Sequence, residues 1–484
     1  MIGRTLLAAS LLATLGGCDA RSDQGPVVVS VIGLTPRLAV PERGFRDEPA
    51  RVLAGAVAQG LVRFDATGQV EPGLAERWIV IDDGMSTIFR LGDARWSDGS
   101  AVTARQVVAR LRAVIAASSR NPIAPYLRAI DDIVVMTPEV IEIRLRSPRP
   151  ELLKLFAQPE LALFKPGEVI GGGPYRIERS SGGEVRLAPL AEPDAEPEER
   201  DPRETVALRG ERAALAIARF AADRSDLVSG GTFVDWPLLT HVDLPNAVVR
   251  AEPVAGLFGL AIVERRGLLA SAEARAALAM AIDRETLAQQ LGDSWQATVT
   301  LVPEQLDSGR APALPAWEPF SRAERVAEAR RLIAAARAAT PGATATPLRL
   351  ALPRGPGSNV LFGYLAADLR GIGLVLERVD AGADADLRLV DRIAPHDNAR
   401  WYLAEACRPC GDVARFAIDA AREAPTMAER VARIAEADVA LTADAAFVPL
   451  ARPVRWSLVS RRLPAWMPNA RGVHPLNHLR RGTN

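Results

Sequence analysis

The sequence is short of the residues on which much protein chemistry depends. It holds three cysteines (Cys18, Cys407, Cys410), four histidines (His241, His396, His474, His478) and two lysines (Lys154, Lys165). A structural zinc site needs about four ligands, and no second CxxC or adjoining histidine pair joins Cys407-Arg408-Pro409-Cys410. His474 and His478 have the helical spacing of a metal pair, but Pro475 spoils the helix that would bring them together. Both are read as structural or solvated, and neither a metal nor a cofactor is expected. No G-x-S-x-G elbow and no H-E-x-x-H motif is present, so no catalytic residue is assigned. An excess of one charge is lacking too: 59 basic residues balance 59 acidic ones, which argues against a nucleic-acid partner. Gly171-Gly172-Gly173-Pro174 has neither the GK[ST] nor the following helix of a phosphate loop and is read as a tight turn entering a hairpin. The scarcity of lysine beside many alanines reflects base composition rather than function.

What the chain does have begins at its start. Arg4 precedes the uncharged apolar run Leu6 to Leu15, followed by Gly16, Gly17 and Cys18. That is the order of a secretory signal peptide. The run is about half of the ~20 residues that a spanning helix requires, and no later run is long and apolar enough. Leu15-Gly16-Gly17-Cys18 resembles the lipobox of bacterial lipoproteins, which implies cleavage before Cys18, acylation of that residue and a tether that does not span the membrane. Asp19 then favours retention at the inner membrane. Export leaves Cys407 and Cys410 in an oxidising compartment, where they are read as a small disulfide loop. Free thiols and a redox or metal pair are the alternatives. At 48% hydrophobic residues the remaining chain can bury a sizeable core, with length for about three domains.

The pattern along the chain is mixed α/β. Val27 to Ile32 reads as a strand. Ile79 to Ile81 and Thr87 to Leu91 flank Asp83-Gly84 as a hairpin. Thr103 with Gln106 forms a capping-box signature ahead of Val107, Val108, Leu111, Val114 and Ile115 on one helical face. A second hairpin joins Ile133 to Met136 and Val140 to Leu145, and Ala188 to Arg203 is a solvated linker rich in Pro, Glu and Asp. Helices are expected over Ala272 to Ala281, from Asp283 to Leu291 with Gly292 as its stop, and from Ser321 to about Ala336. Leu348 to Leu352, a helix from about Asn359 to Arg370, and Leu374 to Val379 make a βαβ unit. Thr426 with Glu429 opens a helix to about Leu441, and strands follow around Phe447 to Leu450 and Trp456 to Val459.

Several segments, in order, resemble the peptide-type (family 5) solute-binding proteins of ABC importers. Gln59-Gly60-Leu61-Val62-Arg63-Phe64-Asp65 precedes Glu71-Pro72-Gly73-Leu74-Ala75-Glu76-Arg77-Trp78. Trp96-Ser97-Asp98-Gly99 leads to Val102-Thr103-Ala104-Arg105-Gln106-Val107-Val108. Gly173-Pro174-Tyr175, Ser225-Asp226-Leu227-Val228 and Arg275-Ala276-Ala277-Leu278-Ala279-Met280-Ala281-Ile282-Asp283-Arg284-Glu285 follow. The resemblance covers most of the chain after Cys18. It implies a two-lobed periplasmic binding protein fold (type II, cluster C-like) with an extra domain inserted in the first lobe. The expected division is 1–17 signal peptide; 18–55, 166–256 and 448–484 first lobe; 56–165 extra domain; 257–447 second lobe. It also implies a monomer that captures a small peptide or related solute by hinge closure and passes it to an ABC permease in the inner membrane. A sensor or scaffold at the envelope, or a binder of a metal complex or haem, are the alternatives.

In peptide-binding relatives a second-lobe strand leads into a segment whose Asp pairs with the peptide's amino end. The corresponding strand here is Ala385 to Val390, and Asp391-Arg392-Ile393-Ala394-Pro395-His396-Asp397 after it lacks the Gly-Trp and aromatic pattern. Asp391 is the candidate replacement anion, Arg392 the candidate carboxylate fork, Trp401 a candidate wall, and Asp235-Trp236 a candidate wall from the first lobe. The simpler readings are a surface ion pair for Asp391 and Arg392 and core packing for the two tryptophans.

Overall fold

The structure, a computed structural model, describes residues 25–190, 202–304, 306, 309–339 and 347–480. Cys18 with its signal-like leader, and most of the linker expected at Ala188 to Arg203, lie outside the described residues.

Three main sheets organise the chain. The first has seven strands in the order Val249–Pro253, Val454–Val459, Leu227–Gly231, Val27–Ile32, Val206–Glu211, Glu184–Pro189, Tyr175–Ser181. Val27–Ile32 lies near its centre, parallel to both neighbours, where a near-continuous apolar run belongs. The second has five strands in the order Leu376–Asp380, Leu348–Leu352, Leu387–Ile393, Gly256–Ile262, Phe447–Ala451. Gly256–Ile262 is buried at every position. Leu348–Leu352 and Leu376–Asp380 pair in parallel across the helix Pro356–Gly371. That helix starts before Asn359 because proline is tolerated in a first turn, where the N–H it lacks has no intrahelical partner. The third, smaller sheet runs Ala75–Ile81, Ser86–Leu91, Val140–Leu145, Ile130–Thr137, covered on one face by the helix Ala104–Ile115. Thr103 accepts from the Gln106 N–H while the Gln106 side chain accepts from the Thr103 N–H.

We refer to these bodies as the first lobe, the second lobe and the inserted domain. The two lobes are joined by short crossings at Val254–Ala255 and Arg452–Pro453, held side by side by the Val254 N–H donating to the Pro453 carbonyl at 2.9 Å. A further contact between the lobes follows Leu227–Gly231, in the segment that leaves the first sheet and rejoins it at Val249–Pro253. There Phe233 packs edge-on against Phe258 of the second lobe, ring centroids 5.1 Å apart. The Gly357 N–H donates to the Val234 carbonyl at 2.8 Å. A Cβ on Gly357 would sit 1.8 Å from the Phe233 carbonyl oxygen, so this approach admits only glycine.

Two arginines of the Arg275-to-Arg284 motif hold the second lobe together from inside. Arg275 is 1% exposed and donates to the Asp444 carbonyl at 2.7 and 3.0 Å, the Asp444 carboxylate at 2.8 Å, and the carbonyls of Leu269 and Ala270 at 2.9 and 2.8 Å. Asp444 also takes a fork from Arg265 at 2.6 and 2.8 Å. Arg284 donates to the carbonyls of Pro449 and Ala279, each at 2.8 Å, and lies over the Trp317 ring at 5.4 Å. Burial, with Arg325 nearby, draws its pKa down to about 9. Cys407 and Cys410 are joined by a disulfide, Cα–Cα 4.7 Å, between the helices Ala399–Ala406 and Asp412–Glu423.

Because three backbone carbonyls and one carboxylate lose their donor together, Arg275→Met is expected to destabilise the protein by roughly 3–5 kcal/mol. Urea unfolding followed by circular dichroism reads this; a loss below about 1 kcal/mol would show that the hub is not holding the lobe.

Candidate functional site

The segment that differs from peptide-binding relatives is where the structure departs most from expectation. The strand does not stop at Val390; it runs Leu387–Ile393, so Asp391 and Arg392 lie within it, opposite Phe258 and Leu257 of the neighbouring strand. Side chains alternate faces along a strand, and the two residues part company. Asp391 turns toward the crossings between the lobes and takes Arg455 of the first lobe at 2.9 Å. Arg392 turns the other way and pairs at 2.9 Å with Glu405, which is 2% exposed. Neither stands free as an anchor. Trp401 is not a wall: it is 1% exposed, edge-on to Tyr402 at 4.9 Å, inside the second-lobe core. Trp236 stands in the same first-lobe segment as Phe233, its indole against Gly292 at the end of the helix Arg284–Leu291. Asp235 beside it is half-buried, and burial raises its carboxyl above the usual range. Among the described residues its side chain has no hydrogen-bond partner.

After the strand, Ala394 to Asn398 form a loop that the first lobe and the inserted domain grip together. The Ala394 N–H donates to the Ala255 carbonyl at 2.7 Å. Gln158 of the inserted domain donates to the Pro395 carbonyl at 2.5 Å. Asp397 is paired by Lys154 of the inserted domain and by Arg471 of the C-terminal segment, one carboxylate between two cations. Asn398 caps the helix Ala399–Ala406, accepting from the Arg400 N–H at 2.8 Å, and donates at 2.8 Å to Glu151 of the inserted domain. Arg430, on the helix Met427–Asp444, reaches the same Glu151 oxygen at 2.9 Å. The Tyr126 hydroxyl of the inserted domain donates to Glu405 at 3.2 Å, and its ring meets His396 edge-on at 5.4 Å. None of these inserted-domain residues stood out in the sequence. Lys154 carried the one faint signal, as one of only two lysines.

The electrostatics follow from burial. Burial alone would raise the Glu151 carboxyl, but Arg430 and then His396 outweigh it and hold it below the ordinary range. Asp397 is likewise held low against its burial by Arg471 and Lys154. His396, 2% exposed, is pushed down to about 4 by burial, with Arg400, Arg430 and Arg471 adding to the effect and Glu151 opposing it. It is therefore neutral at pH 7. The four histidines form no cluster. His474 pairs with Glu252 and His478 with Glu71, at 2.7 and 2.8 Å.

Here the second lobe and the inserted domain meet through charges and amides, with a cavity of about 210 Å³ between them, lined by Glu151, Lys154, Asp397, Asn398 and Arg430 among others. A larger cavity of about 1270 Å³ lies elsewhere, between the inserted domain and the Tyr175–Ser181 edge of the first sheet. Its lining comes from the inserted domain and the first lobe, so it is not an interlobe space. A polar contact face is the kind that can part, because each group exchanges its partner for water at small net cost.

The family description that matches the chain is that of bacterial extracellular solute-binding proteins, family 5 (middle), over residues 69–381. The periplasmic oligopeptide-binding protein OppA of Salmonella typhimurium is 21% identical over 313 residues, 57% of this chain and 56% of OppA, so the match spans little more than half of that relative. Among solved structures, the murein tripeptide-binding protein MppA of Escherichia coli overlays with a TM-score of 0.78 at 19% identity, covering 94% of this chain and 98% of that one. Against an unliganded open form of MppA the TM-score is 0.66, at 18% identity and 95% and 96% coverage.

Two outcomes follow. Asp397→Asn weakens both ion pairs, which share a partly exposed carboxylate and are each worth about 1 kcal/mol or less. It should shift the ligand-free protein toward open forms by up to about thirty-fold and raise the radius of gyration in X-ray scattering. An unchanged profile would mean that this clasp does not hold the lobes. For His396 the unfolded chain binds the proton more tightly, so its contribution to stability is full above pH 6.5 and is lost as pH falls from 6.5 to about 4. The loss should approach ~3 kcal/mol, and the pH dependence of unfolding in that window should flatten in His396→Gln.

Proposed function

The chain belongs to the bacterial extracellular solute-binding proteins of family 5, and from that premise we propose that it captures a peptide or related small solute between its lobes, closes on it, and delivers it to the permease of an ABC importer. The observation that carries the reading is the polar contact between the inserted domain and the second lobe, where Glu151, Lys154, Gln158 and Tyr126 meet Arg430, Asp397, Pro395 and Glu405. A permanent interface gains most from apolar contact, whereas one that opens and closes is served by groups that water can satisfy in turn. Closure lets both lobes touch the ligand at once, and main-chain hydrogen bonds to an extended peptide give affinity without a fixed sequence. No bond is made or broken, so capture needs no catalytic group.

We place the chain on the periplasmic side of the envelope, tethered through an acylated Cys18, at the inner membrane. Peptide is the favoured ligand because relatives are named for peptides. A specific observation favours a second reading, a non-peptide solute: Asp391 is occupied by Arg455 and Arg392 by Glu405. Asp235, half-buried and without a side-chain partner among the described residues, is the carboxylate we assign to a peptide's amino end.

Native mass spectrometry on the chain from Asp19 onward, as purified and after exposure to a mixed peptide pool, tests this. Retained short peptides, with a smaller radius of gyration on binding, are the expected result. A protein that carries a metal complex or other small molecule and ignores the pool moves the ligand to the second reading. A tightly held solute that leaves the radius of gyration unchanged overturns closure.

A further inference from the structure

Gln158 of the inserted domain touches the second lobe with one end of its amide and the first lobe with the other. It is 4% exposed. Its Nε2 donates to the Pro395 carbonyl at 2.5 Å, and its Oε1 accepts from Arg51 Nη2 at 3.0 Å. Arg51 lies on the first-lobe helix Glu48–Val57, which Asp47 caps by accepting from the Ala50 N–H at 3.2 Å. Leu53, Ala56 and Val57 anchor that helix in the core beneath the first sheet. The rest of the guanidinium is taken by Glu160 at 2.8 Å and Glu48 at 3.5 Å. Asn121 donates to the Glu160 carbonyl at 2.6 Å and to the Pro41 carbonyl at 3.2 Å, so first lobe and inserted domain are tied at the same point.

A guanidinium only donates and a backbone carbonyl only accepts. An amide held between the two has one orientation that satisfies both, with its oxygen toward Arg51 and its NH2 toward Pro395. Turned over, it would set donor against donor and acceptor against acceptor and lose both bonds. The side-chain bonds of Arg51 run to Glu48, Gln158 and Glu160 and none crosses to the second lobe. They therefore survive when the second lobe moves away. A side chain already held in its bonding orientation pays no ordering entropy at the moment of contact.

We propose that Arg51 is a positioning residue for closure. It presets the Gln158 amide as a donor, so that the first lobe, through a residue that never touches loop 394–398, governs how well the inserted domain holds that loop. The inference rests on the closure proposed above and adds a residue that regulates it. It also accounts for glutamine at this position: a glutamate would still accept from Arg51 but would turn a second oxygen onto the Pro395 carbonyl.

The test is hydrogen exchange, read by mass spectrometry on the peptide containing residues 394–398, in the ligand-free chain from Asp19 onward. Gln158→Met keeps the shape and loses both bonds, and should speed exchange about five-fold, the worth of one neutral hydrogen bond. Gln158→Glu should speed it further, although it keeps the bond to Arg51. Arg51→Met should speed it by no more than Gln158→Met does, and should add nothing when Gln158 is already methionine. An Arg51→Met effect of equal size in both backgrounds would make the arginine a tie of its own helix and overturn the proposal. Gln158→Glu no faster than Gln158→Met would overturn it as well, and this comparison decides alone if the Arg51 variant does not fold. X-ray scattering with a mixed peptide pool separates the two readings. Compaction of the wild-type chain and every variant alike, with unchanged exchange, keeps closure and removes the role of Arg51. The expected exchange pattern without compaction of any chain supports the presetting of Gln158 and removes closure on a peptide.

Discussion

A contact that must form and part repeatedly cannot be held by apolar area, since each separation would expose it to water at about 25 cal/mol per Å². The closure proposed above places that constraint on the cleft. The inserted domain meets the second lobe through Glu151, Lys154, Gln158 and Tyr126. One hydrophobic cluster fills the inserted domain and others the second lobe, and at this face Tyr126 is packed against both sides. A buried ion pair such as Glu151 with Arg430 adds little net stability, because desolvation offsets attraction. It is selective for one alignment, however, since a displaced partner leaves a bare charge inside. The charges therefore set the register of this contact more than its strength.

A hinge transmits closure only if each lobe stays rigid while it turns. In the second lobe this falls to the buried arginines. Arg275 joins the carbonyls of Leu269 and Ala270 to Asp444, and Arg284 joins Ala279 to Pro449. Asp444 also takes Arg265 and the Gly411 N–H, which links the hub to the region of the disulfide. The family motif around Arg275 and Arg284 is thus a set of internal ties, and nothing in it touches the cleft.

What could be read from the chain was what is local in it. The capping boxes at Thr103 and Ser321 need four consecutive residues each and are formed as their patterns imply. The hairpin strands Ala75–Ile81 and Ser86–Leu91 likewise follow from adjacent residues and a turn. The site was not local. The partner of Asp391 is Arg455, 64 positions away, and that of Glu151 is Arg430, 279 positions away. No periodicity encodes such pairs. Extending the strand from Val390 to Ile393 changed the direction of every side chain argued from it, because alternation assigns faces only once the strand's end is known. For Trp401 the sequence left core packing and a cleft wall both open, and its burial bears out the core reading, since burial on a short helix is decided by what packs over it.

The charges at this contact bear on how the empty protein behaves. Asp397 between Lys154 and Arg471, and Glu151 with Arg430, favour the arrangement in which the three bodies touch, and parting them returns each group to water, which screens its charge. In the capture proposed above, a ligand acts on the difference between the two states, which is the only quantity through which binding can shift a conformational equilibrium.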